Sequence, residues 1–400
     1  MPGSTLRGTV GVPGFLEDME RCEEEVSRLD LRHRANPQDL QNHVRLLYRL
    51  FHRASLSGRM EHFEQAAEAV DRALSERGNK EDICLLKANL ALRFHRLDAV
   101  KQTLEMAPAL AGRAEGQLLL ADMDLQEGRW DEAANAYETL IATDATWDRL
   151  ARLAHLKGKL GEFDEAETLY LRAEDELTAK QMLSFAWLEI QRGLIMFQRG
   201  RDRQALLHYQ RADSAYPGHW FVAEHLAELL AAQERFDEAI PMLREVVART
   251  DKPELKQALG EMYRSAGLEE LARPWFKTAL EIYQSSVVRG DVHYFHHLAD
   301  YYSGPGNDPE RALEWAMKDL ELRSNPLTQT AVAWELYRIG RLDEAVSLIM
   351  RALEPGVRDA MIFRTAAEIL EAAGQNQASL QYASEAHAIN PMPDRFHMHH

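Results

Sequence analysis

The chain has 400 residues, of which 46% are apolar and 28% charged. That balance belongs to ordinary folded chains and excludes disordered, collagen-like and multi-span membrane classes. Lys+Arg 47 against Asp+Glu 64 leaves a net charge of −17, a sign that repels phosphate backbones, so nucleic acid and membrane are not expected partners.

Residues 1–14, MPGSTLRGTVGVPG, mix Gly, Pro and polar residues and lack the apolar core of a secretory signal. They read as a flexible N-terminus. No stretch approaches the ~18 apolar residues of a membrane span. The two cysteines, Cys22 and Cys84, form no CxxC pair, which fits a reducing compartment and sets a cytoplasmic expectation. In residues 15–44, Phe15, Met19, Cys22, Val26 and Leu29 fall four, three, four and three apart, opposite the acidic run EDMERCEEE. This predicts an amphipathic helix that caps the end of an array; a short coiled-coil seam is the rival reading.

From residue 45 one phrase recurs: GRWDEA, GEFDEA, ERFDEA and GRLDEA are near copies, with degenerate versions between them. Their last alanines set ten anchors: Ala66, Ala99, Ala133, Ala166, Ala205, Ala239, Ala272, Ala312, Ala345 and Ala378. The intervals are 33, 34, 33, 39, 34, 33, 40, 33 and 33 residues. Each interval holds two apolar-periodic stretches separated by a Gly or polar break, which predicts a helical hairpin whose small anchor lets two helices approach closely. Pro241 and Pro274, two residues after an anchor, are expected near the start of the second helix, where backbone N–H groups have little or no partner to lose. No sustained period-2 pattern occurs, so strand is expected to be negligible. The two long intervals, around 173–187 and 280–292, suggest soft joints. They divide the array into segments 45–180, 181–285 and 286–391, followed by a His-rich tail at 392–400.

Leu259, Gly260 and Tyr263 in one stretch, followed by Ala272, Phe276 and Ala279, resemble the unit of the tetratricopeptide repeats; Gly161, Ala166, Tyr170 and Ala173 match its second half. The chain is similar to free-standing bacterial proteins made of such repeats throughout. The resemblance implies an all-α fold: a right-handed α-solenoid of about ten hairpins with an N-terminal capping helix. It further implies that first helices line a concave surface, placing Tyr294, His297, Tyr301, Trp334, Tyr337 and Phe363 on the inner face of the last third. Asp122, Asp148, Glu224, Glu228, Glu254 and Glu261 fall at such positions upstream. The Lys and Asn clamp of members that grip a C-terminal carboxylate is absent, since those places hold Leu118, Asp122, Ala151, His155, Glu224 and Glu228.

Catalytic motifs are mostly missing: there is no GxxxxGK[ST], GxGxxG, HExxH or GxSxG. The reading that follows is a scaffold that holds a basic or apolar peptide or protein segment, with Tyr294, Tyr301, Trp334, Tyr337, Phe363, Glu224 and Glu228 as contact residues and no cofactor. A second reading is a metal-binding protein or metal-dependent enzyme. There His293, His297 and Asp300, at helical spacing, join His397, His399 and His400 around a divalent ion such as Zn²⁺. A third is a repeat regulator that senses a small ligand.

Overall fold

The computed structural model describes residues 14–392 and 395–398. The expected flexible N-terminus lies outside the described residues except for Gly14. Among the described residues helix is the only regular element apart from turns, in keeping with the missing period-2 pattern.

α1 (Phe15–Ala35) precedes ten hairpins. The first five are α2 (Leu40–Ser57) with α3 (Met60–Arg77); α4 (Glu81–Arg93) with α5 (Leu97–Met106), trailed by the one-turn α6 (Pro108–Ala111); α7 (Ala114–Gln126) with α8 (Trp130–Thr143); α9 (Trp147–Lys159) with α10 (Phe163–Asp175); and α11 (Met182–Gln198) with α12 (Asp202–Ala215). The last five are α13 (Trp220–Ala232) with α14 (Phe236–Thr250); α15 (Pro253–Ser265) with α16 (Glu269–Val288); α17 (Phe295–Ser303) with α18 (Pro309–Leu322); α19 (Pro326–Arg338) with α20 (Leu342–Leu353); and α21 (Ala360–Ala372) with α22 (Asn376–Ile389).

Each hairpin turns on one left-handed residue. Glycine takes this place in seven, with φ from 67° to 83°, and His95, Glu234 and Asn307 take it in the others. The next N–H commonly reaches back five residues, as Arg129 does to the Asp124 carbonyl at 2.8 Å and Arg341 to Leu336 at 2.8 Å. That bond satisfies a carbonyl left open at the end of the first helix.

Eight of the ten anchor alanines are completely buried. In seven of these the anchor is the fourth residue of its second helix; in the first hairpin Phe63 holds that place and Ala66 stands a turn later. Ala99 and Ala378 are only half-buried, and the fourth-residue position belongs to Val100 and Ser379, both buried. The anchors there shift by one residue. Close approach also relies on glycines in first helices: a Cβ on Gly193 would meet Tyr209 at 2.3 Å, and one on Gly260 would meet Phe276 at 2.6 Å. Pro241 and Pro274 sit deeper than expected, each the sixth residue of its helix. Each removes one ladder hydrogen bond, because only the first four N–H groups of a helix lack intrahelical partners.

Hairpins six apart touch. The third turn meets the opening of the ninth hairpin, where Asn325 Nδ2 donates to the Gln126 carbonyl at 2.8 Å. The fourth meets the tenth, through Arg358 N–H on the Lys159 carbonyl at 2.9 Å. Arg96 reaches Asp291 ahead of the eighth hairpin at 3.3 Å. The Tyr216 hydroxyl, ahead of the sixth, donates to Asp18 of α1 at 2.8 Å. Six hairpins therefore complete one superhelical turn, and the next turn rests on it along a continuous seam.

Candidate interaction surface

First helices of successive hairpins touch one another, α2 with α4, α4 with α7, α9 with α11, α11 with α13, α17 with α19 and α19 with α21, whereas no two second helices approach comparably among the described residues. The first helices thus form the inner layer of the coil. Trp334 and Tyr337 of α19 pack at 5.4 Å between ring centroids, and α19 is tied to α17 by Arg338, which donates to the Ser303 carbonyl at 3.0 Å. Tyr301 of α17 is half-buried, as are Trp334 and Tyr337. These three rings keep accessible surface.

The other two expected aromatic contacts do not. Tyr294 is 3% exposed and packs on Tyr283 at 5.2 Å. Phe363 is also 3% exposed and lies against Tyr382 at 5.6 Å. Both belong to the core between helices.

The expected acidic face is largely compensated from within. The Asp122 carboxylate accepts from the Tyr137 hydroxyl at 2.8 Å and from Arg152 Nε at 2.9 Å. Burial pushes this carboxyl up from its ordinary value against the pull of the Arg152 guanidinium. Arg152 also pairs with Asp148 at 3.3 Å. Burial would raise the Glu254 carboxyl as well, yet Lys252 at 3.0 Å and His297 hold it at about 2. Glu224 and Glu228 are 2% and 1% exposed. Sequence reasoning overlooked Arg152; the available signal was a cation on the first helix adjacent to the one that carries Asp122.

Among the described residues the expected histidines lie apart from one another. α17 begins at Phe295 with Tyr294 at its N-cap, so His293 precedes the helix and does not share a helical face with His297. Burial lowers His293 to about 4, and its ring leans on Phe94 at 5.3 Å. His297 stacks on Tyr283 with an interplanar angle of 2°. His397 lies elsewhere, 3.5 Å from Glu228 and 5.7 Å from the Phe197 ring. Among the described residues no group of three or more His, Cys, Asp or Glu could hold a metal ion. Asp300 of α17 therefore joins no such set, and His399 and His400 lie outside the described residues.

A repeated helical hairpin with a buried small residue at a fixed place in its second helix defines a helical-repeat protein. The family model described as the tetratricopeptide repeat matches residues 225–287, spanning most of α13 through α16. Those residues are thus similar to the tetratricopeptide repeat, and helical hairpins of the same form continue to either side of that match. Among solved structures it is similar to a chain in the crystal structure of the APC/C hetero-tetramer Cut9-Hcn1, at 15% identity and a TM-score of 0.46, covering 95% of this chain and 81% of that one. No curated protein matches it. Among the described residues no helix is long and apolar enough to cross a membrane.

Proposed function

We propose that the protein is an interaction scaffold that holds a peptide or protein segment against α17 and α19, with Tyr301, Trp334 and Tyr337 as its anchors. The observation that carries this reading is that these three rings remain partly accessible on adjacent inner-layer helices, while Tyr294 and Phe363 beside them are buried. Aromatic side chains with a polar tip supply large contact area at low entropic cost and dominate interface energetics. The net charge of −17 favours basic or apolar guests. The free, buried thiols of Cys22 and Cys84 suit work in a reducing compartment such as the cytoplasm.

The test compares capture of partners by the immobilised wild-type chain with capture by Trp334→Ala and Tyr301→Ala. Each should lose more than about thirtyfold in affinity, the equivalent of ~2 kcal/mol, with little change in melting temperature. Tyr294→Ala and Phe363→Ala should instead lower the melting temperature, because each opens a core cavity worth about 3 to 5 kcal/mol. Unchanged capture by both accessible-ring variants would remove the basis of the proposal.

A further inference from the structure

The chain's own C-terminal residues occupy a built surface on the fifth and sixth hairpins. After α22 the backbone passes the Gly200 turn, where Asn390 Oδ1 lies 2.8 Å from the place a Cβ would take. Arg395 then spreads its guanidinium over the Phe197 ring at 3.9 Å. It also donates to the Phe197 carbonyl and to the Asp202 carboxylate. Phe396 sets an edge against Phe236 at 6.2 Å. The Met398 N–H donates to Glu228 Oε1 at 2.9 Å, and the Met398 side chain is completely buried in the largest apolar cluster, among rings that include Phe197 and Tyr209.

These contacts have the form of peptide recognition. A carboxylate, a carbonyl and a ring face receive one arginine, an aromatic edge receives the next residue, a buried carboxylate receives a backbone N–H, and an apolar recess receives a methionine. The acceptors come from three helices and one helix end, α11, α12, α13 and the start of α14, so they hold their places by packing of the array and not by folding around the tail. The Arg358 and Asn325 seam contacts of the fourth and third hairpins are made by ordered hairpin openings. At the fifth hairpin the non-helical residues 395–398 take that role.

We propose that the surface formed by Phe197, Asp202, Glu228 and Phe236 is a peptide-binding site for an extended segment in which arginine is followed by an aromatic residue and, two positions later, by methionine, and that Arg395–Met398 occupies it in cis. A partner carrying that pattern enters by displacing the tail. The proposal rests on the scaffold reading and names the chemistry of one of its guests. It also explains why Glu228, expected to meet a partner, is buried: the chain supplies the guest itself.

The probe is a fluorescein-labelled peptide with the sequence of residues 390–400, titrated into the full-length chain by anisotropy. Occupancy by the tail lowers apparent affinity by the fraction of time the site is open. The full-length double variant Arg395→Ala, Met398→Asp should therefore bind the peptide at least about tenfold more tightly than wild type. Adding Asp202→Asn and Glu228→Gln to it should abolish that gain. Equal binding by wild type and the released variant, or no binding by the released variant with its helical circular dichroism intact, would overturn the proposal. The wild-type chain provides an arm independent of any variant's folding: excess unlabelled peptide should speed hydrogen exchange at residues 395–398, and unchanged exchange overturns the proposal equally. Loss of this site with Trp334-dependent capture intact would leave the scaffold reading standing; loss of capture with peptide binding intact would do the reverse.

Discussion

Replacing Gly128 with alanine perturbs the molecule in two separable ways. Its φ of +79° lies in the left-handed region, which costs an alanine about 1 to 2 kcal/mol. The new Cβ would also stand 2.8 Å from the Ser324 carbonyl oxygen and 3.1 Å from Asn325 Cα. Both are backbone atoms of the superhelical turn above and cannot swing aside, so overpacking adds about 1 to 3 kcal/mol. Gly340 provides the control. It opens the near-identical turn GRLDEA with φ +83°, and nothing lies within 4 Å of its added Cβ. Gly340→Ala should thus cost about 1 to 2 kcal/mol and Gly128→Ala about 2 to 5 kcal/mol. Urea unfolding followed by both circular dichroism and tryptophan fluorescence measures the difference, provided the two probes coincide. Equal losses in the two variants would show that the third and ninth hairpins do not touch in solution.

Ala166 is completely buried at the fourth position of α10, and Ala166→Leu should lower stability by about 1 to 3 kcal/mol through overpacking; an unchanged denaturation midpoint would contradict the hairpin register. Burial holds His95 and His155 at about 3 and His219 and His293 at about 4. Their ordinary value is 6.5, so below that pH the unfolded chain takes up protons that the folded chain refuses. Stability should therefore fall as pH drops from 6.5 towards 4, by about 1 to 2 kcal/mol per histidine at pH 5. His155→Gln should flatten the dependence of melting temperature on pH across that window, and an unaltered slope would refute the assignment.

The hairpins were legible because each one repeats the same local physics: a left-handed turn, a helix start, and a small residue where two helices meet. Where the phrase degenerates, the letter misled. HRLDA and GQNQA place their alanines one residue before the packing position, so Val100 and Ser379 carry the contact that alanine identity assigned to Ala99 and Ala378. The candidate surface was read less well. Helical periodicity places a residue on a face but not its neighbour's charge, so Asp122 looked like an open acid when Arg152, 30 residues later, closes it. Tyr294 and Trp334 were assigned to the same inner face by analogous positions, yet the turn ahead of α17 sends one ring into the core and leaves the other half-exposed. The tail's return to Glu228 spans 170 residues, and no local pattern encodes a contact at that range.

In an ordinary solenoid each unit meets only the unit before and after it, so stability behaves as a one-dimensional chain and the ends fray independently of the middle. The seam changes that dimensionality. A hairpin here has neighbours along the chain and a further neighbour six units away, as bricks in a spiral chimney have both side and vertical contacts. Melting the ninth hairpin removes support from the third as well as from the eighth and tenth, which couples distant parts of the array into one cooperative unit. The arrangement also ties register to number. Adding or deleting a hairpin between the third and ninth would bring a different opening loop above Gly128 and break the Asn325 contact with Gln126.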